Sequence, residues 1–183
     1  MSLQTKVWTY EDLLETPDDG RRYEIIDGEL FVSASPSLEH QATLGEIYDL
    51  VKGFVRVNDL GRVFFAPLDV FFSDINVVEP DLLFVSRVRF AASGPARIEG
   101  PPDLVVEVLS PSTKRIDLTR KQALYASFGV PEYWIIDPDA ETVRMLFLEA
   151  GEDVEQSPDE SGRLHSRVLV GLAFDPAVIF SVV

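Results

Sequence analysis

The chain contains no cysteine, which excludes a disulfide framework and any thiolate metal site. It has only two histidines, His40 and His165, set 125 residues apart, so a zinc site lacks ligands. No apolar run approaches the roughly 18–20 residues that cross a bilayer, and no membrane partner is expected. The first residues, MSLQTKVWTYEDLLE, are polar and acidic and hold no apolar segment of a secretory signal. Cytoplasm is therefore the expected compartment. A Gly-rich phosphate loop is also missing. Positive charge is scarce, with 16 Lys and Arg against 31 Asp and Glu, a net charge of −15. That balance slows non-specific capture of polyanions.

What is present fits one soluble domain over residues 1–183, with 46% hydrophobic and 26% charged residues. The charge is unevenly spread. Residues 149–160, EAGEDVEQSPDE, hold six acids and no Lys or Arg, whereas 114–121, KRIDLTRK, hold four bases and one acid. The global charge opposes a nucleic-acid partner, and the local distribution leaves room for one.

Helical and strand periodicities alternate along the chain. A short helix is expected over Trp8–Glu15. Asp27-Gly28 suits a tight hairpin between two β-rich runs in RRYEIIDGELFVSASP. Leu44, Ile47, Leu50, Val51, Phe54 and Val55 follow helical spacing within a long helix from Leu38 to Val57. Strands are expected at 63–65, 69–72, 82–85 and 104–109, and 91–102 reads as a Gly/Pro-rich loop. A helix from Asp117 to Phe128 follows, closed by Gly129. Strands at 132–137 and 142–148 come next, then a strand-like tail at 163–170 and a short closing turn at 174–180. The fold class predicted is α/β or α+β, a mixed central sheet flanked by helices with an N-terminal β-hairpin.

Two strands carry a carboxylate where an apolar residue would be ordinary. In PPDLVVEVLSPST, Glu107 shares a strand face with Val105 and Leu109, while Leu104, Val106 and Val108 line the other. Both faces are apolar, as in a strand covered on both sides. A dry ionised carboxylate there costs several kcal/mol, so it must be neutral, paired or bound to a cation. At about 100° per residue, Lys121 falls in the middle of the helical stripe formed by Leu118, Leu124, Tyr125 and Phe128. Asp117 lies beside it, and Arg120, Ala123 and Ser127 face away. A buried Glu–Lys pair, or a lysine that snorkels outward, is the simpler reading of those two residues. Asp81, which opens EPDLLFVS after Pro80, turns the set into one that can hold a divalent cation. Mg²⁺ takes one or two carboxylates and completes its octahedron with water and phosphate oxygens.

The order YEIIDGEL, SPSLEHQ, VEPDLLFV, PPDLVVEVLSPST, DLTRKQALYASFGVPEYWIIDP resembles the Uma-type family of "putative restriction endonucleases" in the PD-(D/E)xK nuclease superfamily, from about residue 7 to 180. The resemblance implies a restriction-endonuclease-like core with Asp81 and Glu107 as metal ligands and the Val108 backbone carbonyl as a third. Mg²⁺, with Mn²⁺ as substitute, is the implied cofactor, and DNA the implied substrate. The simplest superfamily pattern puts its lysine at position 109, which is Leu109 here; the family pattern moves it to the following helix, matching Lys121. Its implied role is to activate water or stabilise charge. Glu24, His40 and Asp117 are supporting candidates. Glu24 matches a family glutamate, and a structural hydrogen bond suits it equally. His40 matches a family histidine that could meet substrate phosphate, though a capping or surface role is preferred. Asp117 is read as capping its helix or steadying Lys121, Asp103 as starting its strand, and His165 as surface.

A homodimer follows from the same resemblance, since such folds pair to cut both strands; Phe71, Phe72 and Phe90 could line an interface, but core roles are preferred. Against endonuclease activity stands a second reading, a catalytically silent nuclease fold acting as a binding or regulatory module, supported by the −15 charge. Acid–base chemistry on a small metabolite is a third. A site rimmed by Arg87, Arg89, Arg97, Lys114, Arg115 and Arg120 would favour nucleic acid.

Overall fold

A computed structural model describes residues 6–180; the ends of the expected 1–183 domain, including the first residues of the polar N-terminal stretch, lie outside the described residues. Helix α1 spans Tyr10–Leu14, followed by strands β1 (Arg22–Ile26) and β2 (Glu29–Ser33). Asp27 and Gly28 between them both adopt positive φ, 52° and 74°, as a two-residue hairpin turn requires. Helix α2 runs Leu38–Val57, with Ser37 accepting the His40 amide as its N-cap. Then come β3 (Gly61–Phe65), β4 (Val70–Ser73), β5 (Asn76–Val78), β6 (Leu82–Ser86), helix α3 (Arg87–Ala92), β7 (Ile98–Glu99) and β8 (Leu104–Val108). The helix at 114–127 links β8 to β9 (Glu132–Asp137). The chain ends with β10 (Thr142–Glu149), β11 (Glu152–Glu155), β12 (Leu164–His165), β13 (Ala173–Phe174) and a 3₁₀ turn at Pro176–Phe180.

The strands form a six-stranded mixed sheet, β11-β10-β9-β8-β6-β3, and a five-stranded sheet, β2-β1-β5-β4-β7, with β12-β13 as a small ribbon. In the first, β8 and β9 are parallel and the remaining pairs antiparallel. A parallel pair needs a crossover, and the 114–127 helix supplies it. The sequence reading allowed for one sheet; the N-terminal hairpin instead joins β4, β5 and β7 in a second. Strand β5 was missed because Asn76–Val78 is too short to show a period. The supposed loop 91–102 holds the end of α3 and β7, and the tail at 163–170 is strand only at 164–165.

The faces of β8 fall as expected. Leu104, Val106 and Val108 pack with Ile47, Val51 and Val55 of α2, while Val105 and Leu109 pack with Leu124 and Tyr125 of the 114–127 helix and with Val70 and Val78 of the second sheet. Each such side chain contributes roughly 1.5–3 kcal/mol on burial. Glu107 faces this second core. Among the described residues no helix is long and apolar enough to cross a membrane.

A different buried carboxylate ties down the C-terminal segment. Glu132, fully buried on β9, accepts the amides of Arg167 (2.9 Å) and Val168 (2.8 Å), the Ser166 hydroxyl (3.0 Å) and the Trp134 indole N–H (2.5 Å). This anchors Leu169, Leu172 and Phe174 against the α2 side of the sheet. Removing the acceptor orphans several donors at about 1–3 kcal/mol each when buried. Glu132→Ala should therefore cost about 3 kcal/mol or more, and lower Tm by roughly 6–12 °C for a chain of this size. An unchanged Tm in calorimetry would contradict that role.

Candidate functional site

The second core ends in a polar cluster where β1, β6, β8, α2 and the 114–127 helix converge. Asp81 directly precedes β6, beside β8, and its amide points at Glu107 Oε2 (3.4 Å). Glu107 Oε1 accepts from Lys121 Nζ (3.0 Å) and the Tyr125 hydroxyl (2.7 Å). Lys121 also reaches Glu24 Oε1 (2.9 Å) and Asp117 Oδ1 (3.5 Å). Asp81 Oδ1 accepts from Arg22 (2.9 Å), and its Oδ2 meets His40 Nε2 (3.1 Å) and the Val108 amide (2.9 Å). Glu107 and Lys121 are each only 1% exposed. Asp81, Glu107 and Lys121 thus share one cluster, and Glu24, His40 and Asp117 adjoin it.

Local backbone explains how an ammonium arrives there. The helix begins at Lys114, three residues earlier than expected, and passes through a π-turn over Asp117–Lys121 before resuming as Gln122–Ser127. A π-turn places one extra residue in the coil, a feature frequent at functional sites. Both Asp117 and Lys121 are turned into the core by it. Tyr133, on β9, donates its hydroxyl to the Asp117 carbonyl within this turn (3.2 Å).

The electrostatics are one-sided. Four buried carboxylates, Glu24, Asp81, Glu107 and Asp117, meet two permanent cations, Arg22 and Lys121. Burial alone would raise the Asp81 carboxyl, but its hydrogen bond to His40 and the charge of Arg22 hold it well below the usual range. Burial pushes Glu107 the other way, to about 8; Lys121 offsets this only in part, and Asp81, Asp117 and Glu24 add to the rise. Asp117 is raised for the same first reason. Burial by itself would lower Lys121, yet Glu107, Glu24 and Asp117 raise it well above its ordinary value. The ammonium is firmly charged.

The cluster opens through a cavity of about 20 Å³ lined by Arg22, Ser33, His40, Asp81, Glu107 and Lys121 among others. That is room for about one water molecule or ion. Arg22, Ala34 and Pro36 also line a larger groove of about 410 Å³ that continues past Gln41, Leu44 and Phe65.

Among the described residues, no group of three or more histidine, aspartate and glutamate side chains is arranged to hold a metal ion as it stands. Mg²⁺ needs only one or two carboxylates. The donors here are hard oxygens, the buried acids outnumber the permanent cations, and Asp117 Oδ1 makes no hydrogen bond beyond its 3.5 Å ion pair with Lys121. The residues fit a small divalent cation.

Two members of the cluster escaped the sequence reading. Arg22 lies two residues before Glu24, and so on the same face of β1; that spacing was the available signal. Tyr125 follows Lys121 by four residues, but was counted only as apolar. His40 departs from its preferred surface reading: it is buried against Asp81. The six-residue basic rim does not form around the site. Arg87 pairs with Asp59, Arg89 with Asp103, Arg97 with Glu99, Lys114 with Asp137, and Arg120 reaches Asp27 and Glu29. None of those cations, nor Arg115, lines the site cavity. Asp103 also accepts the Ser86 amide (2.7 Å), and His165 is exposed, as expected.

A family model described as "Putative restriction endonuclease", Uma2, matches residues 9–177. The chain belongs to the Uma2 family. Among solved structures it is similar to a crystal structure described as "a putative nuclease belonging to DUF820" from Anabaena variabilis. The TM-score is 0.78 at 23% identity, covering 94% of this chain and 97% of that one. At that identity the likeness shows a shared fold. No curated protein matches the chain.

Lys121 should be indispensable to stability as well as to the site. Lys121→Met leaves Glu24, Glu107 and Asp117 buried without their cation, which typically costs about 3–5 kcal/mol. Urea unfolding in chelator should show that loss, and adding Glu107→Gln should recover part of it. Equal stability of wild type and Lys121→Met would contradict the charge balance described here.

Proposed function

We propose that the chain is a metal-dependent endonuclease that hydrolyses phosphodiester bonds of DNA at the Asp81–Glu107–Lys121 cluster. The observation that carries this reading is the meeting of two carboxylates from adjacent strands with a lysine from the crossover helix, at an ion-sized cavity facing a groove. Membership of a nuclease family supports it.

Asp81 and Glu107, with the Val108 backbone carbonyl, would hold Mg²⁺ or Mn²⁺. Such an ion, when bound, polarises a phosphoryl oxygen and lowers the pKa of a bound water. The protein's own groups do the rest. His40 and the Val108 amide fix the Asp81 carboxylate, and Tyr125 fixes Glu107. Arg22 stands where the cavity meets the groove and supplies positive charge to an incoming phosphate. Lys121 keeps its proton at neutral pH. Its part is therefore to orient the attacking water and steady the negative charge of the pentacovalent transition state, rather than to accept a proton. Glu24 and Asp117 hold that ammonium in place.

A catalytically silent module remains the second reading, favoured by the closure of Asp81 against Arg22 and His40 and by the −15 charge. The two separate in one assay. Plasmid or oligonucleotide DNA should be cut with Mg²⁺ or Mn²⁺ and left intact with Ca²⁺ or chelator. Asp81→Asn and Glu107→Gln should each slow cutting by about 100-fold or more, the usual scale for losing one such electrostatic group. Cutting that survives Glu107→Gln would sink the proposal, and no cutting under any condition would leave the silent module.

A further inference from the structure

Away from the site, four of the 16 Lys and Arg side chains line two adjoining cavities. A cavity of about 250 Å³ is lined by Lys52, Arg56 and Arg62 with Val55 and Val63. It shares Asp59, Gly61 and Arg62 with a second, of about 230 Å³, that adds Arg87 and Phe90. The only carboxylate lining either is Asp59, which pairs with Arg87. Arg56 and Arg62 are exposed and have no carboxylate partner among the described residues. A cation in the last turn of a helix is favoured by the helix dipole. That accounts for Arg56, but not for Arg62 on β3 or Lys52 a turn earlier.

These cavities lie along the same two elements that reach the site. Helix α2 carries His40 in its first turn, at the cluster, and Arg56 in its last. Strand β3 is the edge of the six-stranded sheet, with Phe65 at its site end and Gly61 and Arg62 at the other. Between the ends stand aromatic rings. Phe65, 52% exposed, meets Tyr48 edge-on at 5.1 Å, and Lys52 donates to the Tyr48 hydroxyl at 2.6 Å. Phe65 also lines the 410 Å³ groove that opens from Arg22. Phe90, 42% exposed, stands at the far end. Alternating cations and exposed rings along a groove are how proteins hold single strands, by phosphate contacts and base stacking.

We propose that a single DNA strand leaving the cluster runs along α2 and β3, with a base on Phe65 and its phosphates at Lys52, Arg56 and Arg62. This rests on the endonuclease reading and adds to it where the substrate lies. The 16 residues from His40 to Arg56 span about 24 Å of helix. At about 3.4 Å per stacked nucleotide, that is roughly seven nucleotides. The track accordingly serves long strands and leaves short ones untouched.

The test measures binding of fluorescein-labelled single-stranded twenty-mers and five-mers to the full chain in Ca²⁺, across salt concentrations, with Mg²⁺ cleavage of the twenty-mer by wild type recorded alongside. The Arg56→Gln/Arg62→Gln variant, altered only at exposed positions, should match wild type in circular dichroism. It should bind the twenty-mer about tenfold more weakly at low salt and lower the salt slope by about 1.4, at about 0.7 per phosphate contact. Phe65→Ala should weaken twenty-mer binding by about fivefold or more with the slope unchanged. Five-mer affinity should stay level in the charge variant. A wild type that cuts DNA while the charge variant binds the twenty-mer with unaltered affinity and slope overturns the track and leaves the site reading intact. A wild type that neither binds nor cuts DNA overturns both.

Discussion

The structure depends on a buried ammonium. Lys121 Nζ stands within 3.5 Å of carboxylates from β1, β8 and its own helix, and each of those carboxylates is withdrawn from water. Desolvating such groups costs several kcal/mol apiece, repaid only when the partners are in place. The pairing therefore selects one alignment. A one-residue slip of β8 would turn Glu107 onto the α2 face among Ile47 and Val51 and bring Val108 against Lys121. The same contact joins the two sheets, because Glu24 belongs to the five-stranded sheet and Glu107 to the six-stranded one. Buried polarity here specifies geometry more than it adds net stability.

That geometry shapes the chemistry. An ammonium held by three acids keeps its proton, so it acts as a fixed charge. The acids, meanwhile, outnumber the cations, and burial lifts Glu107 and Asp117 toward their neutral forms. A small dication is the partner that the proposed function assigns to such a set. Asp81 differs from them because Arg22, His40 and the Val108 amide already stabilise its charge. Two carboxylates of one cluster are pushed in opposite directions by their surroundings, a pattern common to sites that bind ions or move protons.

Much of this was legible in the sequence wherever a period met a chemical anomaly. Glu107 in an apolar strand and Lys121 on an apolar helical stripe were both out of place, and period-2 and 3.6-residue geometry assigned them to facing surfaces. Helix α2 kept its expected limits because its apolar spacing was long and its ends were marked by Ser37 and Asn58. The partition of strands between two sheets was not legible, since β5 and β7 are short and their pairing is non-local. Neither was the π-turn, which no local residue type announces. Arg22 and His40 were undervalued because a lone polar residue at the start of an element is ordinarily solvated; their shared partner, Asp81, arrives from a distant segment just before β6. Glu132 was read as the first residue of a strand, and three of its four donors come from a loop more than thirty residues away.

A protein with net charge −15 is an unpromising partner for DNA only if its charge acts as a whole. At physiological salt it does not, because the Debye length is about 8 Å. The acid-rich β11 and the basic β3 are opposite edges of one sheet, five strand spacings apart. At about 4.8 Å per spacing that is roughly 24 Å, some three Debye lengths. Glu152, Asp153 and Glu155 on the far edge therefore exert little force on a phosphate beside Arg56 or Arg62. The bulk acidity still repels nucleic acid from the remaining surface and so suppresses unproductive encounters. Along the proposed track, local cations and distant acids would work in the same direction: one would admit a strand along a single edge, and the other would discourage it elsewhere.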